Sequence, residues 1–305
     1  MARKSTRIYQ SKGDATFSAV NMLLLIVIMI VFIYPFYNCI VMSFNDGQDA
    51  VRSGIYFWPR VFTLENYAEA LATEGFGSAV LVSVARTVIG TFVSVMVTAM
   101  YAYAISKPRL RFRKFYTVFG MITMFFSGGM IPTYLIIRAL GLYNSFWVYI
   151  LPAAFNMFYA IIFMGAFREI PSALEESAML DGAGSFTTFV RIILPVAKPT
   201  LAAIAIFTAV GHWNSWMDTM LYTDRETWNT LSYVFSRSVY QMQYGEELAK
   251  SATGEMAQIA QGITGTTFKS VLVAMMVLAT MPIMVIYPFF QKHFAKGVMV
   301  GAIKG

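Results

Sequence analysis

The chain has 305 residues, of which 57% are hydrophobic and only 13% charged, the balance of a polytopic membrane protein rather than of a water-soluble domain. A single cysteine, Cys39, excludes an intrachain disulfide framework and a cysteine-based metal cluster, and the two histidines, His212 and His293, offer little metal chemistry. A formal charge of +7 would admit a nucleic-acid partner, so where that charge sits along the chain has to decide its meaning.

Residues 1–16 form a polar tail carrying Arg3, Lys4, Arg7 and Lys12. The apolar run 17–44 is too long for a signal-peptide core and lacks a small-residue cleavage site, which predicts a retained first span. Residues 45–77 read as a polar loop with a helix-like patch at Asn66 and Tyr67. A second span is expected over about 78–106, a third over about 115–137 and a fourth over about 146–167. A polar element at 170–199 follows, then a fifth span at about 200–222, a polar loop to about 267, a sixth span at about 268–290 and a tail at 291–305. The expected fold is an all-α membrane protein with six transmembrane helices.

Charge placement predicts the orientation. The N-terminal tail holds four bases against Asp14, and the connection between spans two and three holds Lys107, Arg109, Arg111, Arg113 and Lys114. The C-terminal tail adds Lys292, Lys296 and Lys304. Residues 45–77 instead hold five acids and two bases, and 223–267 five acids and three bases. Both termini and the 168–199 element are therefore expected in the cytoplasm, and the basic balance reports membrane topology rather than nucleic acid.

Within 170–199, Ser172 and Glu175 have the spacing of a capping box after Pro171, and Glu175 and Glu176 fall in the first turn, where negative charge suits the helix dipole. Leu174 and Ala178 share one face. Gly182 and Gly184 are expected to stop the helix, and a second piece, Phe186 to Ile193, to break before Pro195. A helix–glycine turn–helix outside the membrane suits docking against another protein. The run Glu176-Ser177-Ala178, then Gly182, then after nine residues Ile192-x-Leu194-Pro195, resembles the "EAA" signature of type I ABC importer permeases, with Ser177 where that family usually has alanine. In that family the loop inserts into a groove on a cytoplasmic ATPase. The resemblance implies an ATPase-coupling set of Glu175, Glu176, Ala178, Asp181, Gly182, Ala183, Ile192, Leu194 and Pro195.

The resemblance covers roughly 75–305, with the type I transmembrane domain at 75–290, and includes Tyr101 to Ala104 and Lys107 to Lys114. The ending Gly301-Ala-Ile-Lys304-Gly305 looks like that of maltose-type sugar permeases, in which one tail reaches between the two ATPase subunits. The stretches Phe126 to Thr133 and Gly211 to Trp216 resemble the subgroup that handles complex oligosaccharides. This implies a bacterial cell-membrane protein paired with a second homologous permease, two cytoplasmic ATPase subunits that hold ATP and Mg, and an extracytoplasmic sugar-binding protein.

No ATP site is readable on the chain itself. The nearest approach to a Walker A loop, Gly262 to Ser270, lacks the glycine before Lys269. Nothing has the pattern of a catalytic triad or a carboxylate pair, so neither an enzyme nor a cofactor is expected. Polar residues at membrane depth are the candidates for a substrate path. On span five His212 and Trp216 are four apart, as are Asn214 and Asp218, with Trp213 between. Aromatic faces beside hydrogen-bonding groups fit a sugar, although the same residues serve as interfacial anchors and helix-helix contacts. Arg86 lies roughly 10 Å into span two, placed to pair with Asp218, to snorkel outward or to meet substrate. Ser127-Gly128-Gly129 with Pro132 interrupts span three, where Tyr134, Asn156 and Tyr159 either line a cavity or the glycines serve close packing. One arginine and one aspartate inside the spans favour a neutral solute over a polyanion or a polyamine. The reading is an oligosaccharide-importer permease. Its alternatives are an importer of the same architecture for another solute, or an ATP-independent channel or scaffold.

Overall fold

The computed structural model describes residues 12–50, 54, 57–251 and 266–302. Arg3, Lys4, Arg7, Gly262, Lys304 and Gly305 lie outside the described residues, whereas Gly301 falls in the last helix. Regular secondary structure among the described residues is helical, with one isolated bridge between Asn45 and Phe62.

The helices are α1 (Lys12–Ser43), α2 (Gly47–Ala50), α3 (Glu65–Ala72), α4 (Phe76–Ser106), α5 (Arg113–Phe125), α6 (Met130–Ala139) and α7 (Met157–Arg168). After them come α8 (Ser172–Leu180), α9 (Ser185–Thr188), α10 (Leu194–Val196), α11 (Lys198–Asn214), α12 (Met217–Tyr222), α13 (Leu231–Ser251) and α14 (Thr266–Ala302). Three of them contain stretches long and apolar enough to cross a membrane, Thr16–Ser43, Phe76–Ser106 and Phe268–Ile286. Up to six result if each bent pair counts as one span: α5 with α6 at 116°, α7 with α8 at 77°, and Ser185–Val196 with α11 at 86°.

The described residues form two compact units, one drawn from residues up to 70 and from 245–277, the other from 71–244 and from 278 onward. In the first, α1 presents large apolar side chains on every face from Phe17 to Phe36, as a helix meeting lipid does. The connection after it is ordered around the buried Asn45. Its Oδ1 accepts from the backbone N–H groups of Arg60 (2.8 Å) and Val61 (3.2 Å), and Asn66 Nδ2 donates to its carbonyl (2.8 Å). Those two amide side chains pair backbone groups of the turns that the helices leave without partners.

The second unit is built on α4, which packs against α7 and α11. Ala99, Ala102 and Ala160 are fully buried in a cluster with Val95, Phe163, Phe167, Phe189, Ile193 and Ile204. Small residues let backbones approach closely where lipid gives no hydrophobic drive between helices. Gly90 makes the tightest such approach: a Cβ there would stand 2.6 Å from Cε1 of His212. A second cluster joins Val82, Ile137, Val148, Tyr149, Ile150 and Tyr222.

The structure corrects several expectations. The fourth span is not one helix: residues 146–149 form a 3-10 turn, Pro152 lies in an irregular stretch, and the α-helix begins at Met157 with Asn156 as its cap (Asn156 Oδ1 accepts from Tyr159 N, 3.1 Å). The fifth span breaks after Asn214, so neither His212 with Trp216 nor Asn214 with Asp218 shares a helical face. The 223–267 loop contains the 21-residue helix α13. The capping box does not form either, because Ser172 is already the first helical residue and makes no side-chain cap, while Glu175 turns inward to other partners. The helix also continues through Pro195 to Val196. Phe189–Ile193 is a π turn in which Leu194 N–H reaches the Phe189 carbonyl, and that wider turn accommodates a proline lacking an N–H.

Candidate functional site

The chain between α7 and α11 folds into a self-contained bent element. Gly182 adopts φ +83°, which costs an L side chain steric strain, and lets α8 end in a Schellman motif. Gly182 N donates to the Met179 carbonyl (3.0 Å), and Ala183 N to the Ala178 carbonyl (2.8 Å). Asp181, at the C-cap, is exposed, and Ala178 is buried. Glu175 is buried and held by Lys107 Nζ, with Tyr103 Oη 3.5 Å from its other oxygen, while the Lys107 ammonium sits 4.2 Å from the Tyr103 ring centroid. The ion pair ties α8 to the end of α4. That leaves the opposite side of the element bare: Glu176 is exposed, Leu180 is 90% exposed, and Phe186, Met179 and Leu174 are open as well. Ile192 and Leu194 are half-buried, with Leu194 packed on the core, and Pro195 is exposed. An acidic and apolar outer face on a braced helix pair can seat in a groove on another protein.

The second constellation gathers around Arg86, whose side chain is 2% exposed on α4. It pairs with Asp218 and donates from Nη1 to the Ser215 carbonyl (3.2 Å). Its guanidinium lies 4.5 Å from the Tyr149 ring centroid. Ser215 Oγ also bonds Asp218. Ser215 is extended, the break between α11 and α12, so the arginine satisfies a carbonyl that the interrupted helix releases. His212 is buried on Gly90. Trp213 is buried and pinned by Nε1 to the Ala279 carbonyl (2.9 Å), and its own carbonyl accepts from Ser232 (2.6 Å).

Of the residues read as a substrate path, the structure therefore joins Arg86, Asp218 and His212, and puts Trp213 into packing. Asn214 is exposed at the end of α11. Trp216, half-buried, faces α13 with its ring 6.0 Å from that of Tyr240. Tyr134 packs in an aromatic group with Tyr143 and Tyr222, with Arg138 over it at 5.7 Å. Asn156 and Tyr159 are elsewhere: Asn156 N donates to Thr98, twelve residues along α4 from Arg86 and so about 18 Å away. Sequence reasoning missed Lys107 and Tyr103 as partners of Glu175, and Tyr149 and Ser215 as partners of Arg86. It also missed the side chains of α13. For α13 a signal was present, since Tyr233, Arg237, Tyr240, Gln241 and Tyr244 recur at helical spacing.

No protein-family model matches the chain. The chain is 37% identical over 282 residues, 92% of its length and 96% of the relative's, to the polygalacturonan/rhamnogalacturonan transport system permease protein YtcP of Bacillus subtilis. It is 36% identical over 302 residues, 98% of both chains, to protein LplC of the same organism. It is also similar to the diacetylchitobiose uptake system permease protein NgcG of Streptomyces coelicolor, at 27% identity over 96% of this chain and 91% of the relative. Among solved structures it matches a chain of a bacterial ABC transporter involved in import of the acidic polysaccharide alginate, with a TM-score of 0.81, 27% identity and coverage of 95% of this chain and 100% of that one. A second alginate transporter structure, in complex with an alginate-pentasaccharide-bound periplasmic protein, shares the fold at a TM-score of 0.57 and 16% identity, over 92% of this chain and 93% of that one. The chain belongs to the permease subunits of binding-protein-dependent ABC sugar importers, membrane transport proteins whose ATP hydrolysis is carried out by separate subunits.

Proposed function

We propose that this chain forms half of the translocation pathway for an oligosaccharide in a bacterial cell membrane, with six spans and both termini cytoplasmic. It pairs with a second, homologous permease, rests on two ATPase subunits that bind ATP and Mg, and receives its sugar from an extracytoplasmic binding protein. The bent element 170–199 is the coupling loop. ATP binding closes the ATPases, moves that element and tips the two permeases from inward-facing to outward-facing. The observation that carries this reading is the division of labour within the element: Glu175 is spent internally on Lys107, while Glu176, Leu180 and Phe186 stay exposed for a partner. The basic tails and the basic 107–114 connection support the orientation. The tail residues Gly301, Lys304 and Gly305 are assigned, by resemblance, to contact between the ATPases.

Mild-detergent purification of the tagged chain, with mass spectrometry of what accompanies it, tests the assembly. Recovery of a second permease, an ATPase and a binding protein is expected. Recovery of this chain alone, intact and folded, would shift the reading to a channel or scaffold.

A further inference from the structure

Where span five breaks, Trp216 and Met220 face α13 across a groove of about 440 Å³, within the usual range of small-molecule clefts. Its wall on α13 comes from Tyr233, Arg237, Tyr240, Gln241 and Tyr244, which recur every three or four residues and so share one helical face. Tyr240 is 53% and Tyr244 67% exposed, so these rings are open platforms rather than core packing. Arg237 is exposed among them and has no ion-pair partner among the described residues. Among the described residues, no carboxylate lines the groove. The nearest acid in sequence on the Trp216 side, Asp218, is already committed to Arg86 and Ser215.

Three ligand features answer these groups. Open aromatic rings stack against the C–H face of a pyranose. Tyrosine hydroxyls and the Gln241 amide meet a rim of hydroxyls. A guanidinium on the same wall as those rings donates two parallel hydrogen bonds to a planar carboxylate, a geometry that a neutral sugar would leave unused and a polycation would oppose. We propose that the groove between Trp216 and α13 is a binding site for an oligosaccharide containing uronic acid, with Arg237 on the carboxylate and Trp216 and Tyr240 on the ring faces. The proposal rests on the oligosaccharide-import reading and adds to it a site and a charge.

The test uses the intact importer, purified without its binding protein, and two probes: trigalacturonate and its fully methyl-esterified, neutral form. Binding is followed by saturation-transfer NMR. The native importer is expected to prefer the acid about tenfold, the effect of one charge-assisted pair. Arg237→Gln should bring the acid-to-ester ratio close to one, Arg237→Lys should keep part of the preference, and Trp216→Leu should weaken both probes several-fold. A native importer without preference for the acid, or an unchanged ratio in Arg237→Gln, overturns the site. Loss of the second permease from purified Arg237→Gln importer also overturns it, since the groove is then a subunit interface. ATP-driven uptake of oligosaccharide by the native importer is measured separately. If none is taken up, the import reading fails, whereas uptake without an Arg237-dependent preference sinks the groove alone.

Discussion

Arg86 is an arginine with 2% of its side chain exposed, on a helix apolar enough to span a bilayer, and Asp218 is what makes that position tolerable. The two partners are unequal, because the Asp218 side chain keeps 23% exposure. Asp218→Leu strands a buried cation and should cost about 3–5 kcal/mol, whereas Arg86→Leu leaves a partly hydrated carboxylate and should cost less, about 1–3 kcal/mol. The double variant should recover much of the loss. Thermal unfolding of the four proteins in one detergent measures the cycle, and simple addition of the two single effects would mean that the pair contributes no coupling. Pairing with Asp218 was one of the options open from sequence, because both residues read as lying at similar depth in apolar runs. Tyr149 and Ser215 were not legible, since no local pattern marks a ring or a carbonyl that becomes a partner only when distant segments meet. The pairing also removes the argument for a neutral solute: charges that neutralise each other say nothing about a ligand.

Between elements, the contact of α4 with α11 depends on the missing side chain of Gly90. Gly90→Ala puts a methyl against the buried His212 ring and should cost about 1–3 kcal/mol as the helices separate. Unfolding of the variant in detergent checks this, and a melting temperature equal to the native one would show that the ring can move aside. Outside the membrane, Tyr143 Oη donates to Asp224 (2.7 Å), a bond that with burial pushes the Tyr143 phenol up to about 12. The neutral phenol is the form the folded chain prefers. Its contribution should therefore be intact below pH 10 and disappear as pH rises from 10 toward 12. Comparing native protein with Tyr143→Phe over that range checks it: the difference in melting temperature should shrink only above pH 10.

For the whole molecule, the proposed coupling requires that movement at the 170–199 element reach the spans, and a substitution at Gly182 tests that coupling apart from folding. A Cβ at Gly182 meets nothing within 4 Å, so Gly182→Asp adds only left-handed backbone strain, about 1–2 kcal/mol, together with a carboxylate on an exposed face. Native membrane abundance with loss of ATP-driven uptake is expected. Uptake at the normal rate would refute the coupling assignment.

The sequence by itself determined the apolar runs, the charge asymmetry and the glycine stop at Gly182, because hydropathy, charge and φ preference act over one turn or one span. It also carried the interruption at Ser127 to Gly129. Tertiary structure alone decided the rest. Glu175 faces inward because Lys107, distant in sequence, lies beside it and an ion pair outweighs a cap. Span five breaks at Ser215 because Arg86 takes up the carbonyl that the break releases. Residues 231–251 read as loop by mean polarity although tyrosine and arginine recur there at helical spacing, and the burial of Leu231 and Ser238 by neighbours that no window of the sequence contains favours the helix.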